Sequence, residues 1–373
     1  MKKLFLSIAL TGLSLAAITA QAQNNTTQAA VEEAAIALES AEDVPEQVAM
    51  PKYWTAALVT NINFGQTYLS QWAAGGYNNY SLSGNIDGRL DFNRDKITGV
   101  THLVMDYGFL YSADKPIFQK NKDRIYFESK WGLETPIRHL SWSANLDFRT
   151  QFNDNYNYVT PTDAQFAAYP DEPSKAWKEA AKNNLKSGLF SPAYINLGLG
   201  ILWTPKPWFS LNFAPLTGGV VIVSNPSLRY TYGMDLNKDS AYRTTTDTRA
   251  TDADRKVAYE AQDYAQFQGV RYEFGAQLKA DAQWIINDNF TYTTQLAAFY
   301  NYLTPKVEPR ITWDNKVFWK LAKFFALTLS TNLIYDPLVL VRDTDKDGAA
   351  DAKGVQFKEY FEFGFTYTIA AKR

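Results

Sequence analysis

The sequence predicts an all-β chain closed into a transmembrane antiparallel up-and-down β-barrel of about 12 strands, with both termini periplasmic. Three observations predict it: long stretches alternate apolar and polar residues, the connections sort by length into two sets, and tryptophans gather at one end of the strands. Composition removes the rivals. Of 373 residues, 46% are hydrophobic and 20% charged. The mean hydropathy is -0.32. No apolar run of about 18 residues follows the leader, which excludes a helical multi-pass membrane protein. The 23 tyrosines, 23 phenylalanines and 10 tryptophans exclude a disordered chain. Absence of cysteine removes disulfides, thiolate metal sites and cysteine nucleophiles. Two histidines, His102 and His139, leave little room for imidazole chemistry, and a net charge of -2 gives no electrostatic attraction to nucleic acid.

The N-terminal segments precede the barrel. Residues 1–22 carry Lys2 and Lys3, an apolar stretch over 4–18 and the small-x-small triplet Ala20-Gln21-Ala22, which reads as a cleaved signal peptide and so as export. Residues 23–50 hold Glu32, Glu33, Glu39, Glu42, Asp43 and Glu46 with no basic or aromatic residue. Such a stretch cannot anchor a core and reads as an acidic, Ala-rich periplasmic tether that ends between Pro45 and Pro51. Residues 51–373 are the expected barrel.

Each strand follows from its period. Over 80–92 the even positions are Tyr80, Leu82, Gly84, Ile86, Gly88, Leu90 and Phe92, against Ser81, Ser83, Asn85, Asp87, Arg89 and Asp91. A strand this long exceeds the five or six residues usual in soluble sheets and suits a tilted span of about 9 to 11 or more. The pattern recurs over 140–149 and 270–284. Strands are expected at 54–65, 79–92, 97–111, 124–136, 140–152, 193–204, 208–222, 270–285, 290–302, 309–320, 324–335 and 355–369. Alternation alone fits a soluble sandwich equally well. The connections discriminate: those at 93–96, 136–139, 205–207, 286–289 and 321–323 are tight. Those at 66–78, 112–123, 153–192, 223–269 and 336–354 are long, with 303–308 the one short exception. Short turns on one rim and long loops on the other are an outer-membrane arrangement.

Trp54, Trp142, Trp203, Trp208, Trp284 and Trp319 all fall at the short-turn rim and form an expected periplasmic girdle. The final strand alternates Phe361, Phe363, Phe365, Tyr367 and Ile369 with smaller or polar residues, the aromatic-outward pattern that barrel assembly machinery reads, although Ala370 to Arg373 follow it. Outer-membrane lipid and that machinery are the expected partners.

The stretch Gln66-Thr67-Tyr68-Leu69-Ser70-Gln71-Trp72-Ala73-Ala74-Gly75-Gly76-Tyr77-Asn78 resembles the N-terminal signature of a family of Bacteroidota outer-membrane barrels catalogued as a domain of unknown function. Phe190-Ser191-Pro192-Ala193-Tyr194, Ala214-Pro215-Leu216-Thr217-Gly218 and Tyr232-Gly233 resemble later blocks of it, so the similarity covers about 54–369. The resemblance implies architecture and address and transfers no activity.

Candidate chemistry is sparse. Asp343, Asp345 and Asp347 alternate, Gly348 follows at the sixth position, Ala349 offers a carbonyl at the seventh and Asp351 a carboxylate at the ninth. This copies a calcium loop, but the twelfth position is Gly354, so a structural calcium is expected to bind only weakly, at about 10⁻⁴ to 10⁻³ M. A His-x-Ser pair, His139 and Ser141, is weighed as a lipid hydrolase nucleophile and loses, because a serine nucleophile needs a base that is itself oriented. His102 is expected to join Asp106 in an interior network.

Inward parity collects the acids Asp87, Asp91, Glu128, Glu134, Asp147, Glu273, Asp281 and Glu362 and the bases Arg89, Arg124, Lys130, Arg149, Arg271 and Lys279. This near-balance points to crosslinking ion pairs rather than a ring of one sign. Twelve strands leave an intermediate lumen, so a narrow pore and a filled scaffold are both compatible. Among the loops, 174–188 reads as a short surface helix between an N-cap Ser174 and a C-capping Gly188, and 243–264 as a solvated or partly helical lid. The function expected is a non-enzymatic outer-membrane barrel of a Gram-negative bacterium, either a porin-like passive channel for small solutes or a structural surface barrel. A barrel-embedded lipid hydrolase and a secreted soluble β-sandwich binding protein are the rivals.

Overall fold

A computed structural model describes residues 53–67, 78–112, 114–182, 184–247, 249–304, 307–322, 324–342, 344 and 352–371. The expected signal peptide and tether, most of the 66–78 stretch and the acidic loop tip lie outside them. The chain forms β1 (Trp54–Thr67), β2 (Asn79–Arg94), β3 (Ile97–Tyr111), β4 (Gln119–Glu134), β5 (Leu140–Thr150), β6 (Asn155–Tyr156), β7 (Leu185–Ser187), β8 (Ala193–Lys206), β9 (Phe209–Ile222), β10 (Val270–Asn287), β11 (Phe290–Asn301), β12 (Arg310–Lys320), β13 (Phe325–Arg342) and β14 (Ala352–Ala371). β6 and β7 make a separate ribbon, and the other twelve close an antiparallel barrel in chain order. The ring closes where β1 meets β14, from Ala56 opposite Ala371 to Asn63 opposite Gly364. Closure leaves no open edge, the condition for a sheet without water at its sides.

All twelve expected strands are present, and the differences lie at their ends. β4 begins at Gln119, earlier than the pattern suggests, because a bulge opposite Gly108 and Phe109 breaks the alternation there. β13 runs on to Arg342 through an irregularity between Tyr335 and Leu340, so much of the expected 336–354 loop is hairpin.

The burial pattern inverts that of a soluble protein. Lys279, Glu128 and Glu273 are buried, whereas Tyr272 and Phe361 are 72% and 65% exposed. Pairing registers keep each row on one face: Asn61 faces Asn85, Asn85 faces Asp106 and Asp106 faces Arg124, all inward. Polar residues on the outer face satisfy one another. The Trp131 and Trp313 indoles donate to Ser129 and Thr294 at 3.0 and 2.9 Å, and the Tyr292 and Thr294 hydroxyls both donate to the Asn315 side-chain oxygen. Two strand irregularities use glycine for close approach: a Cβ on Gly275 would strike the Tyr300 carbonyl oxygen, and one on Gly200 the Phe213 carbonyl.

Trp142, Trp203, Trp208, Trp284 and Trp319 are exposed at the short-turn rim. Their rings interlock, Trp208 lying 5.4 Å from Trp284 and Trp284 stacking 5.4 Å from Tyr292. Tyr80, Tyr111, Tyr272, Tyr300 and Tyr302 are exposed toward the opposite rim, a second aromatic ring that the sequence reading did not anticipate. Trp284 and Tyr272 sit at opposite ends of β10. At a rise of about 3.3 Å per residue and a tilt of about 40° they are about 30 Å apart along the barrel axis.

The long-loop rim carries folded excursions, not solvated loops. One consists of α1 (Asp163–Ala168), α2 (Pro173–Lys182) and the β6–β7 ribbon. The helix expected over 174–188 stops at Lys182, because Leu185–Ser187 pairs with Asn155–Tyr156; Gly188 bridges Ser191 and caps nothing. Trp177, Ala176, Ala180 and Ala181 of α2 are buried.

The other excursion spans 223–269 and contains α3 (Asp252–Glu260). Of the solvated and partly helical alternatives the second holds, with Tyr230, Leu236, Ala250, Ala258 and Phe267 forming a buried cluster under α3. Two of the charges that made the segment look solvated, Asp254 and Arg255, are used inside it. Arg255 is buried and donates to the Met234 and Tyr230 carbonyls, and Asp254 accepts from the Thr244 hydroxyl at 2.7 Å and from the Thr251 backbone at 3.2 Å. These hydrogen bonds, led by the Thr244 hydroxyl, hold the Asp254 carboxyl below the usual carboxylate range. The excursion leans on the last hairpin through the Leu340 amide, which donates to the Thr231 carbonyl.

Candidate functional site

The lumen is the site, and strand parity builds it. Near its middle, Lys279 of β10 donates to Glu128 of β4 at 2.9 Å and to Asp147 of β5 at 2.8 Å. Beside them Lys130 of β4 donates to Asp281 of β10 at 2.6 Å. β4 and β10 lie four strands apart around the ring, so these bonds cross the interior rather than run along the wall. Neutral groups complete the layer: Asn145 donates to Gln277 at 2.9 Å and Asn196 to Asp147 at 2.9 Å. A group so far from water keeps its charge only when paired, which each of these is.

A second cluster lies nearer the long-loop rim. Arg310 of β12 donates to Glu273 of β10 at 3.1 Å, lies 3.9 Å from Asp336 of β13 and stands 5.1 Å over the Tyr194 ring of β8. Arg271 donates to Glu273 at 3.2 Å and also to the Tyr232 and Gly233 carbonyls of the 223–269 excursion. That excursion is thereby fastened to the barrel interior.

The opposite side of the lumen is wetter. Arg124 of β4 reaches Asp314 of β12 at 3.8 Å, and its Nε donates to Asp106 of β3 at 3.1 Å. Lys316 of β12 lies 3.6 Å from Asp87 of β2, whose other oxygen is 2.7 Å from the His102 ring. Arg124 and Lys316 are 32% and 34% exposed, and Arg89 closer to the short-turn rim 49%, against 4% for Lys279. The interior therefore holds a dry ion-pair network around Lys279, Glu128 and Asp147 and a more solvated set of charges at Arg124, Asp314, Lys316 and Asp87.

The expected crosslinking ion pairs are present. His102 pairs with Asp87 rather than with Asp106, because this diagonal neighbour on β2 reaches it while Asp106 turns to Arg124 and Asn85. His139 sits in the turn before β5 with a φ of +63°, and no hydrogen bond joins it to Ser141 among the described contacts. Of the expected calcium set, Asp343, Asp345, Asp347, Ala349 and Asp351 all lie outside the described residues. No group of three or more metal-ligating side chains occurs among the described ones. The charges on β12 and β13 were overlooked at the level of sequence. The alternation Arg310, Thr312, Asp314, Lys316 against Ile311, Trp313, Asn315, Val317 carried the signal that would have placed them.

Several solved barrels are similar in outline. An outer membrane channel from Pseudomonas putida F1 aligns over 88% of this chain and 99% of its own, with 11% identity and a TM-score of 0.34. The NanC porin aligns over 84% and 98%, with 6% identity and a TM-score of 0.31. A variant of the ferric enterobactin receptor PfeA from Pseudomonas aeruginosa aligns over 76% of this chain and 44% of its own, with 10% identity and a TM-score of 0.31. This chain thus spans less than half the length of that receptor. No curated protein matches the chain. Residues 64–156, which include the 66–78 stretch, match the family described as protein of unknown function, DUF3078.

Proposed function

We propose that the chain is an outer-membrane β-barrel of a Gram-negative bacterium, of the Bacteroidota kind that the 66–78 stretch resembles, and that it acts without catalysis as a narrow passive conduit for small polar solutes. An apolar outer face between two aromatic rims supports the address, since such a band is stable only against lipid tails. On this reading the signal peptide exports the chain, the assembly machinery inserts it, and the short-turn rim, where both ends of the barrel chain lie, faces the periplasm.

The observation that carries the conduit is the solvated charged face. The inward side chains of Asp87, Arg89, His102, Arg124, Asp314 and Lys316, on β2, β3, β4 and β12, remain a quarter to a half exposed, while Lys279 and Glu273 on β10 are buried. A filled scaffold would bury both sides alike. Planar bilayer recordings with refolded protein test it. Discrete conductance steps are expected, and silence at high protein dose would favour the structural barrel instead. The hydrolase rival predicts lipase activity lost in His139→Ala; we expect no such activity in the wild type.

A further inference from the structure

Two kinds of charge pair cross this lumen, and they differ in a way that bears on what passes. On the dry side Lys279 and Glu128 are buried and joined at 2.9 Å, and the part-buried Lys130 and Asp281 are joined at 2.6 Å. Two pairs on the other side are longer and more solvated, whereas Lys122 of β4 and Glu362 of β14 there form a short, nearly buried pair. The Arg124 guanidinium meets Asp314 at 3.8 Å from the strand six places away, the far wall of a twelve-stranded ring. The Lys316 ammonium meets Asp87 at 3.6 Å from four strands away. Neither contact is short enough to be a hydrogen bond. Both anchor on the same strand, Asp314 and Lys316 being two residues apart and facing inward on β12.

Solvated pairs of this length attract weakly and exchange readily with water, whereas buried hydrogen-bonded pairs stay closed. We propose that the Arg124–Asp314 and Lys316–Asp87 pairs are two cross-bars that divide the solvated side of the lumen and set its size limit, so that the conduit admits small hydrated inorganic ions and excludes sugars. Each bar carries one charge of each sign, so it offers a passing ion of either sign a partner while opening. A neutral sugar offers neither bar an exchange partner and must displace both at once. Asp106 and His102 hold the fixed ends: Asp106 accepts from Arg124 Nε at 3.1 Å and His102 contacts Asp87 at 2.7 Å. The bars therefore open at their β12 ends. This inference rests on the conduit reading above.

The test compares the wild type with Arg124→Ala/Lys316→Ala, using potassium chloride conductance in planar bilayers and arabinose swelling of proteoliposomes. Folding of each protein is checked by its heat-modifiable migration. The wild type is expected to conduct and not to swell vesicles in arabinose. The double variant should conduct about twofold more per step and let arabinose in, because the bars no longer divide the section. Conductance by the wild type with an unchanged arabinose barrier in the folded variant overturns the cross-bars and leaves the conduit intact. Wild-type swelling in arabinose does the same. Silence of both proteins overturns the conduit and the cross-bars with it.

Discussion

Replacing Lys279 by Met removes the one cation that both Glu128 and Asp147 hold at hydrogen-bond distance, 2.9 and 2.8 Å, in the driest part of the lumen. The thioether fills much of the same volume, so the loss is chiefly electrostatic. Two carboxylates then share a site in which Lys130 lies 3.4 Å from Glu128. Breaking a buried ion pair from one side costs about 3–5 kcal/mol, since the partner keeps its desolvation cost without its counter-charge. At a guanidinium slope of about 4 kcal/mol per M this lowers the unfolding midpoint by about 1 M. The assay is equilibrium unfolding of the barrel refolded into lipid vesicles, followed by tryptophan fluorescence. Glu128→Gln combined with Lys279→Met should recover at least half of the loss, because one charge is removed together with its partner. Removing the exposed Lys182–Glu179 pair should leave the midpoint unmoved. A single variant within about 0.5 kcal/mol of the wild type, or no recovery in the double variant, would show that the network does not hold the barrel as argued.

Other outcomes follow from the same structure. The Asp254 carboxyl titrates below its usual range when folded, so its contribution is present above the unfolded pKa and lost as the pH falls below about 4. Limited proteolysis near 240–262 should accelerate at pH 3 while the barrel stays resistant, and Asp254→Asn should be cleaved equally at pH 3 and 6. Gly275→Ala forces a methyl group against the Tyr300 carbonyl and should destabilise the barrel by about 1–3 kcal/mol, read in the same vesicle unfolding assay. Calorimetry on the whole barrel should show calcium binding at about 10⁻⁴ to 10⁻³ M that is lost in Asp345→Asn. No heat at millimolar calcium would remove the Asp-rich tip from consideration.

Legibility in the sequence depended on how local the cause was. Twelve strands, their parity and the tryptophan rim follow from spacing along one strand, so β10 and β2 were readable residue by residue. The helix over 174–188 was cut short because Leu185–Ser187 found a ribbon partner some thirty residues earlier, at Asn155–Tyr156. The charged 243–264 segment looked solvated because burial of Arg255 depends on carbonyls from residues 230 and 234, which no local pattern reveals. His102 was assigned Asp106 from proximity on its own strand, and Asp87, a diagonal neighbour on β2 two residues from its ladder partner Arg89, reaches it instead.

The sequence by itself determined that this chain is a barrel with an apolar outside and a charge-balanced inside, because a two-residue period over long strands fixes which side chains share a face. Only the tertiary structure decided which charge meets which. Closure of the ring brings Lys279 to Glu128 and Arg124 to Asp314 across sequence separations that no period encodes. The distance between walls then leaves one set of pairs dry and short and the other wet and long.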